Sequence, residues 1–130
     1  MKTILLLLFF ITSLFSSELN WIHDYEKALT VAKKEHKDIY LFIGADKCRF
    51  CKKFKEKTLS QKQVINKLDE KFIPLYLSRD QHIVPDKFER YGAPRHYFLN
   101  SNGKIYDEDA GYIAPEAFMK FLDEVSFYRD

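Results

Sequence analysis

Cys48-Arg49-Phe50-Cys51 constrains this chain more than any other feature, and its two thiols are the only cysteines present. The motif follows the apolar run Ile39-Tyr40-Leu41-Phe42-Ile43, which is too short for a globular helix and rich in strand formers. It opens a lysine-rich stretch that reads as a helix to about Lys57. Thiols at i and i+3 on a first helical turn sit close enough to close a small disulfide ring. The outer one meets unpaired backbone N–H groups and the positive end of the helix dipole, which stabilise a thiolate. Thiolates, not thiols, attack disulfides, so the position predicts a reactive pair. A permanent bridge here would close too small a loop to stabilise much. Half of a zinc site is the other reading, but its remaining ligands would have to come from His23, His36, His82 and His96, none in tight Cys/His spacing.

The 130 residues are 46% hydrophobic and 16% aromatic, enough for one compact domain with a real core. Met1-Lys2, the apolar stretch Ile4 to Phe15, and Ser16-Ser17 before Glu18 together predict a secretory signal peptide over residues 1–17. The domain then occupies residues 18–130. The apolar run falls short of the roughly 18 residues wanted for a membrane span, and an uncleaved anchor is the alternative. Export predicts a periplasmic location, where thiols meet an oxidising environment. Losing residues 1–17 removes one Lys and no acid, so the net charge of +2 becomes +1. That balance gives no reason to expect nucleic acid or anionic lipid as a partner.

Along the chain, Asn20 reads as the cap of a helix carrying Trp21, Ile22, Tyr25, Ala28, Leu29 and Ala32. A strand over Asp38 to Ile43 precedes the cysteine helix. Ser60-Gln61-Lys62-Gln63 reads as a capping box that launches a helix burying Val64, Ile65 and Leu68. Phe72 to Leu77 reads as a strand interrupted by Pro74. Pro85 and Gly92 bracket a short helix with Phe88 and Tyr91. Arg95 to Leu99 is a third strand, turned by Asn100-Ser101-Asn102-Gly103 into Lys104-Ile105-Tyr106. Pro115 starts a last helix with Phe118, Phe121, Leu122 and Val125 on one face. This order predicts an α/β fold, a mixed central sheet with helices on both faces. The cysteines then lie at the carboxyl end of a strand, where open α/β sheets place their sites.

With these elements in place, the chain resembles the thioredoxin-fold thiol:disulfide oxidoreductases. Within that group it resembles the C-terminal periplasmic domain of the thiol:disulfide interchange protein DsbD and related small exported thioredoxin-like proteins. The stretch from Gly44-Ala45-Asp46-Lys47 through Cys48 and Cys51 to Lys52-Lys53-Phe54 resembles that family's A-D-W-C-x-x-C-K-x-F signature. Tyr91-Gly92-Ala93-Pro94 before the third strand is similar to its cis-proline loop. The resemblance implies that Cys48 attacks, that Cys51 resolves the mixed disulfide, and that the two pair as a disulfide. It implies that Ala93 and Pro94 hold an incoming peptide like an added strand. No metal or organic cofactor is implied. The implied partners are substrate proteins with thiols or disulfides, and a membrane electron-transfer protein that re-reduces the pair.

Three positions depart from the family pattern. Lys47 stands where the family has Trp, Phe42 where it has a buried acid, and Lys55 where the DsbD domain has a second acid. Together with Arg49, these changes favour a thiolate at Cys48. Lys47, Arg49 and Phe50 are thus expected to tune the couple and touch partners. An ordinary cysteine pKa of about 8.5 falls to about 3.5–7.5 in such surroundings. A stabilised thiolate makes the pair more oxidising, by about 30 mV per pKa unit. A reductase is the reading that the resemblance favours. An oxidase or isomerase, and a redox-switched binding module without turnover, stay open beside it.

Overall fold

In a computed structural model of the chain, residues 18–129 are described, so the expected leader over residues 1–17 lies outside them. Helix α1 (Tyr25–Glu35) leads into strand β1 (Asp38–Gly44), followed by helices α2 (Arg49–Lys57) and α3 (Lys62–Lys71). Strand β2 (Phe72–Ser78), strands β3 (Arg95–Leu99) and β4 (Ile105–Ala110), and helix α4 (Pro115–Arg129) complete the order. The sheet runs β2-β1-β3-β4, with β1 parallel to β2 and antiparallel to β3.

β1 is buried along its whole length, because it sits centrally and both of its faces are covered. Its side chains alternate between two cores. Ile39, Leu41 and Ile43 join Ala28 and Ala32 of α1, whereas Tyr40 and Phe42 join Phe54, Val64, Leu68 and Phe118 beneath α2, α3 and α4. Pro74 is tolerated because β2 is an edge strand. Its carbonyl accepts from Ile22 N–H at 2.9 Å, so the missing N–H of the proline faces the same outer edge rather than β1.

Four local expectations are corrected. The first helix starts at Tyr25, capped by the Asp24 carboxylate on Lys27 N–H at 2.8 Å, and not at Asn20. Ile22 instead forms a parallel bridge to Leu75, a tertiary pairing that helical spacing cannot reveal. Ser60 does not cap α3; its hydroxyl donates to the Glu56 carbonyl at 2.5 Å, which closes α2, and Gln61 takes the N-cap without a side-chain bond. Pro85 to Gly92 forms no helix but a turn, with Phe88 N–H on the Pro85 carbonyl and Arg90 Nη2 on the Val84 carbonyl.

Candidate functional site

β1 and β2 end level, with Gly44 opposite Ser78, so the loops that leave them run side by side. Arg79 N–H donates to the Gly44 carbonyl at 3.0 Å, and Asp46 N–H donates to the Asp80 carboxylate at 2.7 Å. The Asp46 carboxylate in turn accepts from Ser78 Oγ at 3.2 Å and from Gln81 Nε2 at 2.6 Å. These bonds fix the residues just before the cysteine motif.

Cys48 is the N-cap of α2, in extended backbone conformation. Its sulfur accepts from Cys51 N–H at 3.1 Å, and its carbonyl accepts from Lys52 N–H at 3.1 Å. A side-chain acceptor is what an N-cap requires, and here sulfur fills the place usually taken by oxygen. Cys48 and Cys51 form a disulfide with Cα atoms 5.2 Å apart. Cys48 is partly exposed, whereas Cys51 retains 2% of its accessible surface. One sulfur is therefore partly open to the surface, and the other lies behind it in the core that holds Phe42 and Phe54.

A cleft of about 280 Å³ opens beside Cys48, bounded by Lys47, Arg49 and Phe50 on one side and by Gly92 and Ala93 on the other. The Ala93–Pro94 peptide bond is cis. Pro94 is buried next to the cleft, and its carbonyl accepts from Gly111 N–H at 2.7 Å. Gly92 needs its glycine, since its φ of 74° belongs to the left-handed region. All seven residues singled out in the sequence thus gather at one end of the sheet. Arg79 also lines the cleft and was missed. The available signal was its position just past the carboxyl end of β2, level with Gly44.

Beneath the site lies a polar link that nothing in the local sequence announces. Tyr40 Oη is 2.7 Å from His96 Nδ1, and His96 Nε2 is 2.9 Å from the Gly111 carbonyl. A carbonyl only accepts, so Nε2 carries the proton and Nδ1 accepts from the tyrosine hydroxyl. Burial holds His96 at a pKa of about 4, outweighing the bond to Gly111 and the field of Asp109. Burial likewise pushes Tyr40 well above the usual phenol value, so both groups stay neutral.

Phe42 and Lys55 occupy the two positions that carry acids in the DsbD-like pattern. Phe42 is buried against Phe54 and Tyr76, with ring centroids 5.3 and 5.0 Å away. Lys55 Nζ donates to Tyr76 Oη at 3.2 Å and lies 4.3 Å from that ring's centroid. This flank therefore offers an aromatic wall and a cation rather than a carboxylate. The four histidines lie apart from the pair: His96 is in the core, His36 ends α1, and His23 stacks on His82 at 5.0 Å.

Comparison with known proteins agrees with this architecture. The family described as a thioredoxin-like domain matches residues 25–126. A thioredoxin from Thermus thermophilus superposes with a TM-score of 0.70 at 21% identity, over 84% of this chain and 88% of that one. The oxidised C-terminal domain of DsbD from Neisseria meningitidis superposes at 0.65 with 23% identity, over 80% of this chain and 97% of that one. Identities this low speak to the fold. Among curated proteins, an uncharacterised protein of Archaeoglobus fulgidus is 27% identical over 63 residues, covering 48% of this chain and 50% of its own length. Spermatogenesis-associated protein 20 of Rattus norvegicus is 28% identical over 68 residues, covering 52% of this chain and 9% of its own length. The chain thus spans half of one such relative and a small part of the other. With a family match over most of its length and a helix-tip disulfide at the carboxyl end of β1, the chain belongs to the thioredoxin-like family.

Proposed function

We propose that this chain is an exported thiol:disulfide oxidoreductase that reduces disulfides of substrate proteins in the periplasm. In the dithiol state, the Cys48 thiolate attacks one sulfur of a substrate disulfide. The substrate's S–S bond breaks, its second sulfur leaves as a thiolate, and Cys48 is joined to the first. Cys51 gives up its proton and attacks the Cys48 sulfur, which releases the substrate as a dithiol and leaves Cys48–Cys51 oxidised. Two electrons have then moved from this chain to the substrate. Restoring the dithiol takes two electrons from a membrane electron-transfer protein. Ala93 and Pro94 hold the substrate strand across the cleft.

The single observation that carries this reading is the arrangement of the two sulfurs. The outer one caps α2 beside an open cleft, and the inner one is buried three residues on. Export is supported by the leader-like residues 1–17. A second reading, an oxidant or isomerase, is favoured by Phe42 and Lys55 in place of acids and by Lys47 and Arg49 beside Cys48. The cations attract a thiolate and the missing acids no longer repel one, so both changes favour the reduced form.

Insulin reduction with dithiothreitol tests turnover. A rate above background is expected, and none would leave a redox-switched binding module. A Cys51→Ser variant is expected to accumulate mixed disulfides with proteins of the exported fraction. Their absence would remove the exchange reading.

A further inference from the structure

The cleft beside Cys48 carries a charge pattern that disulfide exchange alone does not require. Lys47 and Arg49 enter it from the motif's own turn, and Arg79 enters from the loop after β2. Lys47 and Arg49 are exposed and Arg79 is partly so. Among the described residues the ion pairs involve Lys52, Lys67, Lys71 and Arg90, so none of the three cleft cations is matched to a carboxylate.

Arg79 is also held in place. Its guanidinium lies 5.2 Å from the Tyr91 ring centroid, and Nη1 is 3.5 Å from the Arg90 carbonyl, contacts that orient the group without neutralising it. Nearby acids are engaged elsewhere and do not line the cleft. Asp46 bonds Ser78 and Gln81, and Asp80 bonds the Asp46 amide. The hydrogen bond from Tyr91 N–H, helped by the cations Arg95 and Arg90, holds the Glu89 carboxyl below the usual range. The cleft lining therefore holds three cations, none of them ion-paired, and no acid around the partly exposed sulfur.

We infer that this cleft selects an extended, acidic, cysteine-bearing segment of a substrate protein, with Asp or Glu within about two residues of the reacting cysteine. An extended chain advances about 3.3 Å per residue. Neighbours of the bound cysteine then pass Lys47 and Arg49 on one side and Arg79 on the other. Complementary charge at such a site raises encounter rates and excludes basic segments, and salt weakens it. The inference rests on the exchange reading proposed above, whose substrate class it names.

The test uses the reduced Cys51→Ser protein and synthetic peptides whose single cysteine is a mixed disulfide with neutral 2-thiopyridine. Cys48 thiolate attacks the peptide sulfur, the bond to thiopyridine breaks, thiopyridone leaves with the electron pair and takes a proton, and the peptide stays bonded to Cys48. A peptide with Glu on both sides of the cysteine is expected to react roughly 10-fold faster at low salt than its Gln counterpart. The ratio should fall towards one at about 0.5 M salt. Arg79→Gln or Lys47→Gln should each cut the ratio about threefold. Taking the ratio within one variant cancels any change in the intrinsic reactivity of the thiol. Equal rates for the two peptides, or a preference that both variants leave intact, would overturn the acidic assignment while the exchange reading stands. Glutathione activated in the same way and reacting as fast as the acidic peptide would give the cleft to small anionic thiols and overturn the peptide assignment. No reaction of either peptide above that of a free thiol would remove the exchange reading, and this inference with it.

Discussion

The Tyr40 hydroxyl donates to His96 Nδ1 across 2.7 Å, which joins the central strand β1 to β3, the strand that leaves the cis-proline loop. The connection continues outward. His96 Nε2–H bonds the Gly111 carbonyl, and Gly111 N–H bonds the Pro94 carbonyl, so the floor of the cleft is tied to the core through one imidazole. The His96 ring lies 6.0 Å from both Tyr40 and Phe42 at an interplanar angle of 12°. Around Phe42 this chain thus keeps a neutral aromatic stack. Buried polar groups of this kind are costly to charge or to leave half-bonded.

That cost makes stability depend on pH with a definite sign. His96 has a folded pKa of about 4 against an ordinary 6.5, so between those values the unfolded chain binds more protons than the folded one. Its contribution is complete above pH 6.5 and is lost as pH falls towards 4, by up to about 3 kcal/mol. A His96→Gln variant should be less stable than the parent at pH 7. Denaturant unfolding at several pH values is expected to show that gap narrowing with acid. A gap independent of pH would contradict the buried neutral imidazole.

Phe54 carries much of the packing behind the cysteine helix. It is fully buried, with ring centroids 5.3 Å from Phe42, 4.8 Å from His96 and 5.2 Å from Phe118. Truncating such a side chain removes transfer energy and leaves a cavity, so Phe54→Ala is expected to cost about 3–5 kcal/mol in equilibrium unfolding. A loss below about 1 kcal/mol would show that α2 does not depend on this contact.

Charge at the helix tip should govern how readily Cys48 reacts. Lys47 and Arg49 flank it on the exposed side, and the capping N–H of Cys51 points at its sulfur. Replacing either cation by Glu in the reduced protein is expected to slow alkylation of Cys48 by neutral iodoacetamide at pH 7 by about three- to tenfold. Cys51, buried behind it, should be alkylated far more slowly than Cys48 in every variant. Rates that ignore both charge reversals would mean that the tip's field does not set the thiolate population.

What could be read before the structure, and what could not, follows from where the information resides. The run Ile39 to Ile43 announces a central strand because both faces are covered and every position must be apolar. The cysteine motif carries its own local logic: five of the seven expected residues line one cleft, with Cys51 buried behind Cys48 and Pro94 next to Ala93. Non-local features stayed hidden. Trp21 and Ile22 fit a helical spacing, yet pairing with β2 pulls Ile22 into an extended bridge. The strand β4 runs on through Asp107, Glu108 and Asp109, which no apolar alternation marks because an edge strand leaves them in water. Arg79 reaches the cleft only because two strands end side by side, and Tyr40 meets His96 across 56 residues of chain.

Equilibrium titration of the Cys48/Cys51 couple in glutathione or dithiothreitol redox buffers, read by mass after thiol trapping, bears most directly on whether this pair exchanges electrons. A working couple is expected to poise between about −270 mV, the thioredoxin value, and about −120 mV, with the reductase nearer the former and an oxidant nearer the latter. A pair that stays oxidised until the buffer is driven well below about −300 mV would be an inert structural bridge, and the function proposed for it would be wrong.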